Sequence, residues 1–249
     1  MKWIVVMMGL VVSSVGWAQE ACESPRDEFV KLQDLPAEQA QARMAECSML
    51  GVTFLALGST EVSDAGLSHL SGLTNLTTLD LGYTQVSDAG LSHLSDLTNL
   101  EWLGLQRTPV SDDGLAHLSS LTNLTELDLG RTQVSDVGLA HLSGLTNLTS
   151  LNLSKIQVSD VGLSYLSGLT NLTRLYLKNT QVSDVGLSYL SGLTSLEYLH
   201  LDSTQVRGPG LSHLSGLTNL TSLELFGTQV SDAGVAQLQA ALPNCNIYR

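Results

Sequence analysis

Few side chains in this sequence stand where acid, base or ligand chemistry could arise. His200 and Asp202 are two residues apart and Glu224 follows His200 by 24 residues, which makes the three the best candidate for a general acid/base group. The other histidines, His69, His93, His117, His141 and His213, recur at multiples of 24 residues, with Tyr165, Tyr189 and Gln237 in the remaining places of the same column. A metal site needs ligands that converge on one point. A column in which Tyr and Gln substitute for His reads instead as amphipathic filling between neighbouring elements, so no metal is expected there. The chain has no Gly-rich phosphate loop, no zinc-type His-Glu pair, no C-x-x-C and no nucleophile elbow. An enzyme is not expected, and no cofactor is implied.

A larger set of residues is of the kind that binds. Arg107, Arg131 and Lys155 are spaced by 24 residues, with Arg174 and Lys178 close behind. Tyr83, Trp102, Tyr176, Tyr198 and Phe226 are interspersed with them, as are Asp128, His200, Asp202 and Glu224. Large aromatics and arginines are the types enriched in interface anchors.

The elements that position these residues follow from an internal repeat. Leu73 to Asp96 reads LTNLTTLDLGYTQVSDAGLSHLSD and Leu169 to Gly192 reads LTNLTRLYLKNTQVSDVGLSYLSG. Stepping by 24 gives eight units without insertion, beginning at Met49, Leu73, Leu97, Leu121, Leu145, Leu169, Leu193 and Leu217. In each, L-x-x-L-x-L (Leu76, Leu79 and Leu81 in the second) alternates at its end with the period of a strand. Ser-Asp then precedes Gly-Leu-x-x-Leu, which predicts a short helix capped by Ser or Asp that buries Leu91 and Leu94. A unit of strand, turn and helix cannot cover its own apolar side, so the units must stack as a solenoid. The expected fold is an α/β solenoid, a parallel sheet on the concave face and short helices on the convex face.

Eight copies also separate scaffold from site. Thr holds the ninth place in seven of eight units, Ile156 being the exception, and Ser-Asp precedes the helix in all but the unit carrying Arg207-Gly208. These columns are turn and cap chemistry. Asp64, Asp88, Asp112, Asp136, Asp160, Asp184 and Asp232 belong to them, so much of the negative charge is structural. The binding residues named above vary from unit to unit and are expected at outward-pointing strand positions. Strands lie about 4.8 Å apart, which makes Arg107, Arg131 and Lys155 a continuous basic stripe on the concave face.

The units resemble leucine-rich repeats, with L-x-x-L-x-L-x-x-T where Asn or Cys is commoner at the ninth place. The V-S-D-x-G-L tail resembles the helical class of ribonuclease-inhibitor-like and cysteine-containing repeats. The LTNLTxL opening resembles bacterial internalin-type repeats. The resemblance implies the horseshoe fold and a bacterial origin and is nearly silent on ligand. The Asn-Leu-Thr triplets at Asn75, Asn123, Asn147, Asn171 and Asn219 match a glycosylation sequon but read as repeat chemistry.

Four segments are expected. Residues 1–18 read as a secretory signal, with Lys2, an apolar run from Trp3 to Val15, and Gly16-Trp17-Ala18 before the cleavage point. That run is shorter than the ~20 residues a bilayer core requires, and no later segment could span. Residues 19–48 predict an N-terminal helical cap, with Phe29, Val30, Leu32, Leu35, Ala37, Ala40 and Met44 at helical spacing. Residues 49–240 are the eight repeats, and residues 241–249 a capping strand with Cys245 and Ile247 facing inward. Export to the periplasm, the medium or the cell surface implies oxidation, and Cys22 and Cys47, which flank the cap, are expected to form a disulfide. Against 24 Asp and Glu stand 11 Lys and Arg, a formal charge of −13, which argues against nucleic acid as a partner. The expected partner is a protein or peptide, of acidic character; an anionic glycan or envelope polymer, and a structural envelope role, are the alternatives.

Overall fold

The structure, a computed structural model, describes residues 51–249, so the signal segment, the helical cap and the Cys22–Cys47 pair lie outside the described residues. Among the described residues, nine three-residue strands form one parallel sheet in strict sequence order. They are β1 (Phe54–Ala56), β2 (Thr78–Asp80), β3 (Trp102–Gly104), β4 (Glu126–Asp128), β5 (Ser150–Asn152), β6 (Arg174–Tyr176), β7 (Tyr198–His200), β8 (Ser222–Glu224) and β9 (Asn246–Tyr248). Each pairs with the next at an offset of 24 residues, Leu55 with Leu79, Leu79 with Leu103, and finally Leu223 with Ile247. The sequence period is therefore the sheet register.

The central residue of each strand faces the helices and its two neighbours face the concave side. In the second unit Leu73, Leu76, Leu79, Leu81, Val86, Leu91 and Leu94 are all buried, and the same columns are buried along the stack. Each such side chain contributes about 1.5–3 kcal/mol, but only when a neighbouring unit covers it. Cys245 is reduced and buried at the end of this core, between the helix Asp232–Ala241 and β9.

The convex elements are short. In the first four units one α-turn (Asp88–Leu91, for example) runs directly into a 3-10 turn (Ser92–Leu94). In the unit that lacks Ser-Asp, Gly208–Leu214 is wholly 3-10, with Pro209 in its first turn.

Three polar columns recur along the stack; the threonines act within their own unit, and the other two columns tie neighbouring units together. The ninth-place threonine is buried at Thr84, Thr108, Thr132, Thr180 and Thr204, and its hydroxyl donates to the carbonyl three residues back, as from Thr132 to Leu129 at 2.7 Å. The triplet asparagines reach across units: Asn123 Nδ2 donates to Thr98 O and Asn147 Nδ2 to Thr122 O, both at 2.9 Å. The aspartates expected at helix caps also act across units. Asp160 Oδ1 accepts from the Ser183 N–H at 2.7 Å and its Oδ2 from the Ser183 hydroxyl at 2.6 Å, and the pattern repeats from Asp64 to Ser87 and from Asp112 to Ser135. The helix glycine makes room for this clamp. A Cβ on Gly162 would lie 2.4 Å from Asp136 Oδ1, so the column tolerates no larger residue without moving the carboxylate.

Candidate functional site

Successive concave residues of a strand occupy two columns. One contains Phe54, Thr78, Trp102, Glu126, Ser150, Arg174, Tyr198 and Ser222; the other contains Asp80, Gly104, Asp128, Asn152, Tyr176, His200 and Glu224. Trp102, Asp128, Arg174, Tyr176, Tyr198, His200 and Glu224 thus lie where the alternation places them. Trp102 lies over Gly104, where a Cβ would meet its ring at 2.6 Å.

The basic stripe is built differently from its sequence expectation. Tyr83, Arg107, Arg131 and Lys155 are not on strands. They occupy a corner three residues past the end of the strand, in left-handed backbone, with φ of 60°, 57°, 61° and 61°. Ser59, Asn179, Ser203 and Gly227 adopt the same conformation in the other units. A non-glycine residue there costs on the order of 1–2 kcal/mol. The corner persists because its N–H is held by the following unit, Arg107 N–H by Gly130 O and Arg131 N–H by Ser154 O, both at 2.9 Å. Lys178, Asp202 and Phe226 also fall just beyond the strands, one residue before the corner.

The five bases of the face divide into two classes. Arg174 pairs with Glu126 two units away at 3.3 Å, and Lys178 Nζ lies 3.4 Å from Asp202 Oδ2. Arg107, Arg131 and Lys155 have no carboxylate partner among the described residues. The Arg107 guanidinium stacks 4.9 Å from the centre of the Tyr83 ring, itself half exposed. The Lys155 ammonium titrates below its ordinary value, first because of Arg131, then through partial desolvation and through Lys178 and Arg107. A groove of about 220 Å³ runs between these residues, lined also by Gln106, Asp128, Gly130, Asn152 and Ser154. Asp128 lines the same groove but makes no ion pair with the three bases. Its Oδ1 accepts from Gly130 N–H at 2.8 Å within the turn, and burial raises its pKa against the lowering effect of that bond and of Asn152. Asn152 does the same turn duty for Ser154 N–H at 3.0 Å. Gln106 and Ser154 were not legible as site residues, because small and polar types in the place before the corner carry no signal of their own.

At the C-terminal side of the face the expected acid/base residues come together. His200 Nε2 is 2.8 Å from Asp202 Oδ2 and 3.3 Å from Glu224 Oε2. Asp202 is buried, and its Oδ1 accepts from Phe226 N–H at 2.8 Å. Burial pushes that carboxyl up, but His200, the Phe226 amide and Lys178 together outweigh it and hold it below its ordinary value. The Tyr198 hydroxyl donates to Glu224 Oε1, and its pKa is raised, first by burial and then by that bond. The Tyr176 ring is 5.2 Å from Tyr198 and 6.3 Å from His200, so an aromatic wall adjoins the cluster. Phe226 remains about half exposed beside it.

Comparison with known proteins agrees with this architecture. A two-copy family of leucine-rich repeats matches residues 122–168, 146–192 and 170–209, and a single leucine-rich repeat family matches residues 72–95 and 216–238. An internalin C2 of Listeria monocytogenes superposes with a TM-score of 0.69 at 32% identity, covering 83% of this chain and 82% of its own. A second internalin of the same organism is similar at 25% identity with a TM-score of 0.46, over 82% of this chain and 76% of its own. No curated protein sequence matches the chain.

Proposed function

The chain belongs to the bacterial leucine-rich repeat proteins, and from that premise we propose that it is an exported, non-enzymatic interaction module. Its concave face binds an acidic segment of another protein or peptide. One observation carries the reading: in a chain of formal charge −13, three consecutive units present Arg107, Arg131 and Lys155 with no anionic partner among the described residues. Like charges held this close are disfavoured, and they are held on strained corners, so a bound anion relieves both the repulsion and the need to solvate them together. Tyr83, stacked against Arg107 and lining the groove, supplies an apolar anchor. The open groove, exposed along its length, suits a peptide better than the enclosed pocket that catalysis on a small molecule needs. The signal-like residues 1–18 support export, and no helix of the described residues is long and apolar enough to cross a membrane.

The test uses the purified chain and a fluorescent Asp/Glu-rich peptide, followed by anisotropy through a salt series. Binding should weaken with salt. The paired change R131E/K155E should lower affinity at least about tenfold, equal to roughly 1.4 kcal/mol. The same change at the convex His117 and His141 should leave it unaltered. If the peptide does not bind but an acidic polysaccharide does, the partner is an anionic polymer and the protein reading fails.

A further inference from the structure

Outside the basic groove, His200, Asp202 and Glu224 are the one group of three histidine, cysteine or carboxylate side chains among the described residues close enough to share an ion. We propose that these three form a binding site for a divalent transition-metal ion of the zinc class. Their ligand atoms, one imidazole nitrogen and one oxygen from each carboxylate, lie within 4.8 Å of one another. They come from two adjacent strands whose register sets His200 beside Glu224, with Asp202 two residues further along the chain.

The arrangement around those atoms has the character of a supported ligand set. Each carboxylate has one oxygen held from outside the cluster, Asp202 Oδ1 by the Phe226 amide and Glu224 Oε1 by the Tyr198 hydroxyl. The other oxygen of each is thereby turned toward His200 Nε2. Metal-binding carboxylates are oriented by outer hydrogen bonds of this kind. The Nε2 atom itself is buried and makes an aligned hydrogen bond to neither carboxylate, although they lie 2.8 and 3.3 Å away. A tetrahedral ion with bonds of about 2.0–2.1 Å separates its ligand atoms by about 3.3 Å, close to these spacings. One nitrogen and two carboxylate oxygens suit zinc better than magnesium or calcium, which take oxygen-only sets. His200 and Glu224 remain 15% and 25% exposed, so a fourth position is open to water or to a partner's side chain.

Lys178 is the competitor. Its ammonium lies 3.4 Å from Asp202 Oδ2, and its side chain is 39% exposed, so it has a path to solvent when an ion takes its place. The same geometry without an ion is a bridge of protonated His200 to two carboxylates, and metal titration separates the two.

The tag-free mature chain, freed of metal with a chelator that is then removed, is titrated with zinc chloride against a chromophoric competitor at neutral pH, with no peptide present. The acidic-segment reading therefore plays no part in the outcome. One equivalent should bind, and cobalt should give the visible absorption of a tetrahedral nitrogen and oxygen site. H200A should lower affinity at least about tenfold, and so should E224Q, an isosteric change at a partly exposed position that keeps the fold. H141A on the convex side should not. Zinc should also raise the Tm of the parent chain, and raise that of E224Q by less at the same zinc concentration. Absence of a stoichiometric site, or unchanged zinc affinity in E224Q, overturns the proposal.

Discussion

Replacing Asp160 by alanine separates two accounts of the repeated aspartate. If it serves only as an anion at the first turn of its own helix, its loss costs about 0.3–1 kcal/mol, and every aspartate of the column should cost the same. The structure gives it more to do. Asp160 holds the Ser183 N–H at 2.7 Å and the Ser183 hydroxyl at 2.6 Å in the next unit. Hydrogen bonds to a charged group contribute about 1.5–3 kcal/mol each, and partial exposure of the clamp favours the lower end, so D160A should cost about 3 kcal/mol. The column contains its own controls. Asp184 faces Arg207 in place of serine and accepts only the Arg207 N–H, at 2.7 Å, so D184A should cost roughly half as much. Asp232 begins the longest convex helix, Asp232–Ala241, but has no further clamp to a following unit; it is 87% exposed and pairs with Arg249. D232A should cost no more than about 0.5 kcal/mol. Urea unfolding followed by far-UV circular dichroism, with midpoint and slope fitted separately, gives the three values. Equal costs for all three, or the largest cost at Asp232, would refute the clamp and return the column to local capping.

Other perturbations test the remaining columns. Gly162→Ala places a Cβ 2.4 Å from Asp136 Oδ1, so thermal melting should show a loss of about 1–3 kcal/mol where an unobstructed helix would gain about 0.5–1. Arg131→Asn, which puts at a φ of 61° the residue type already found at Asn179, should raise stability by about 0.5 kcal/mol while weakening binding of the acidic peptide. His69 is buried with Nδ1 unpartnered, and burial, then His93, lowers its pKa. A base whose folded pKa lies below its unfolded value of 6.5 takes up its proton more readily unfolded, so stability should fall as pH drops through and below 6.5, and His69→Leu should flatten that slope in urea midpoints measured between pH 7.5 and 5.5.

Much of the architecture was legible because the repeat does two things at once. A 24-residue period with L-x-x-L-x-L at its start states where each strand is and which strand lies beside it, so the pairing of Leu79 with Leu103 follows from spacing alone. The same comparison among copies set the variable Trp102, Arg174, Tyr176, Tyr198 and His200 apart from scaffold. It also assembled His200 with Glu224, since residues 24 apart are lateral neighbours. By itself, then, the sequence determined the strand positions, the sheet register, the buried leucine columns and the set of residues free to vary.

Tertiary structure decided what the polar columns do. Ser-Asp before a helix has the same letters whether the carboxylate caps its own helix or clamps the next unit, and only the distance from Asp160 to Ser183 distinguishes them. The sequence pattern continues the strand into the corner carrying Tyr83, Arg107, Arg131 and Lys155, because side-chain type does not report φ. Its left-handed backbone is imposed by an N–H held in the neighbouring unit. Nor does composition show which bases are already answered: Arg174 reaches Glu126 across two units, while Arg131 and Lys155 reach no carboxylate among the described residues. Local pattern determines which face a residue takes, because that depends on the backbone period; hydrogen-bond partners and charge balance depend on distances between units, which exist only once the units have stacked.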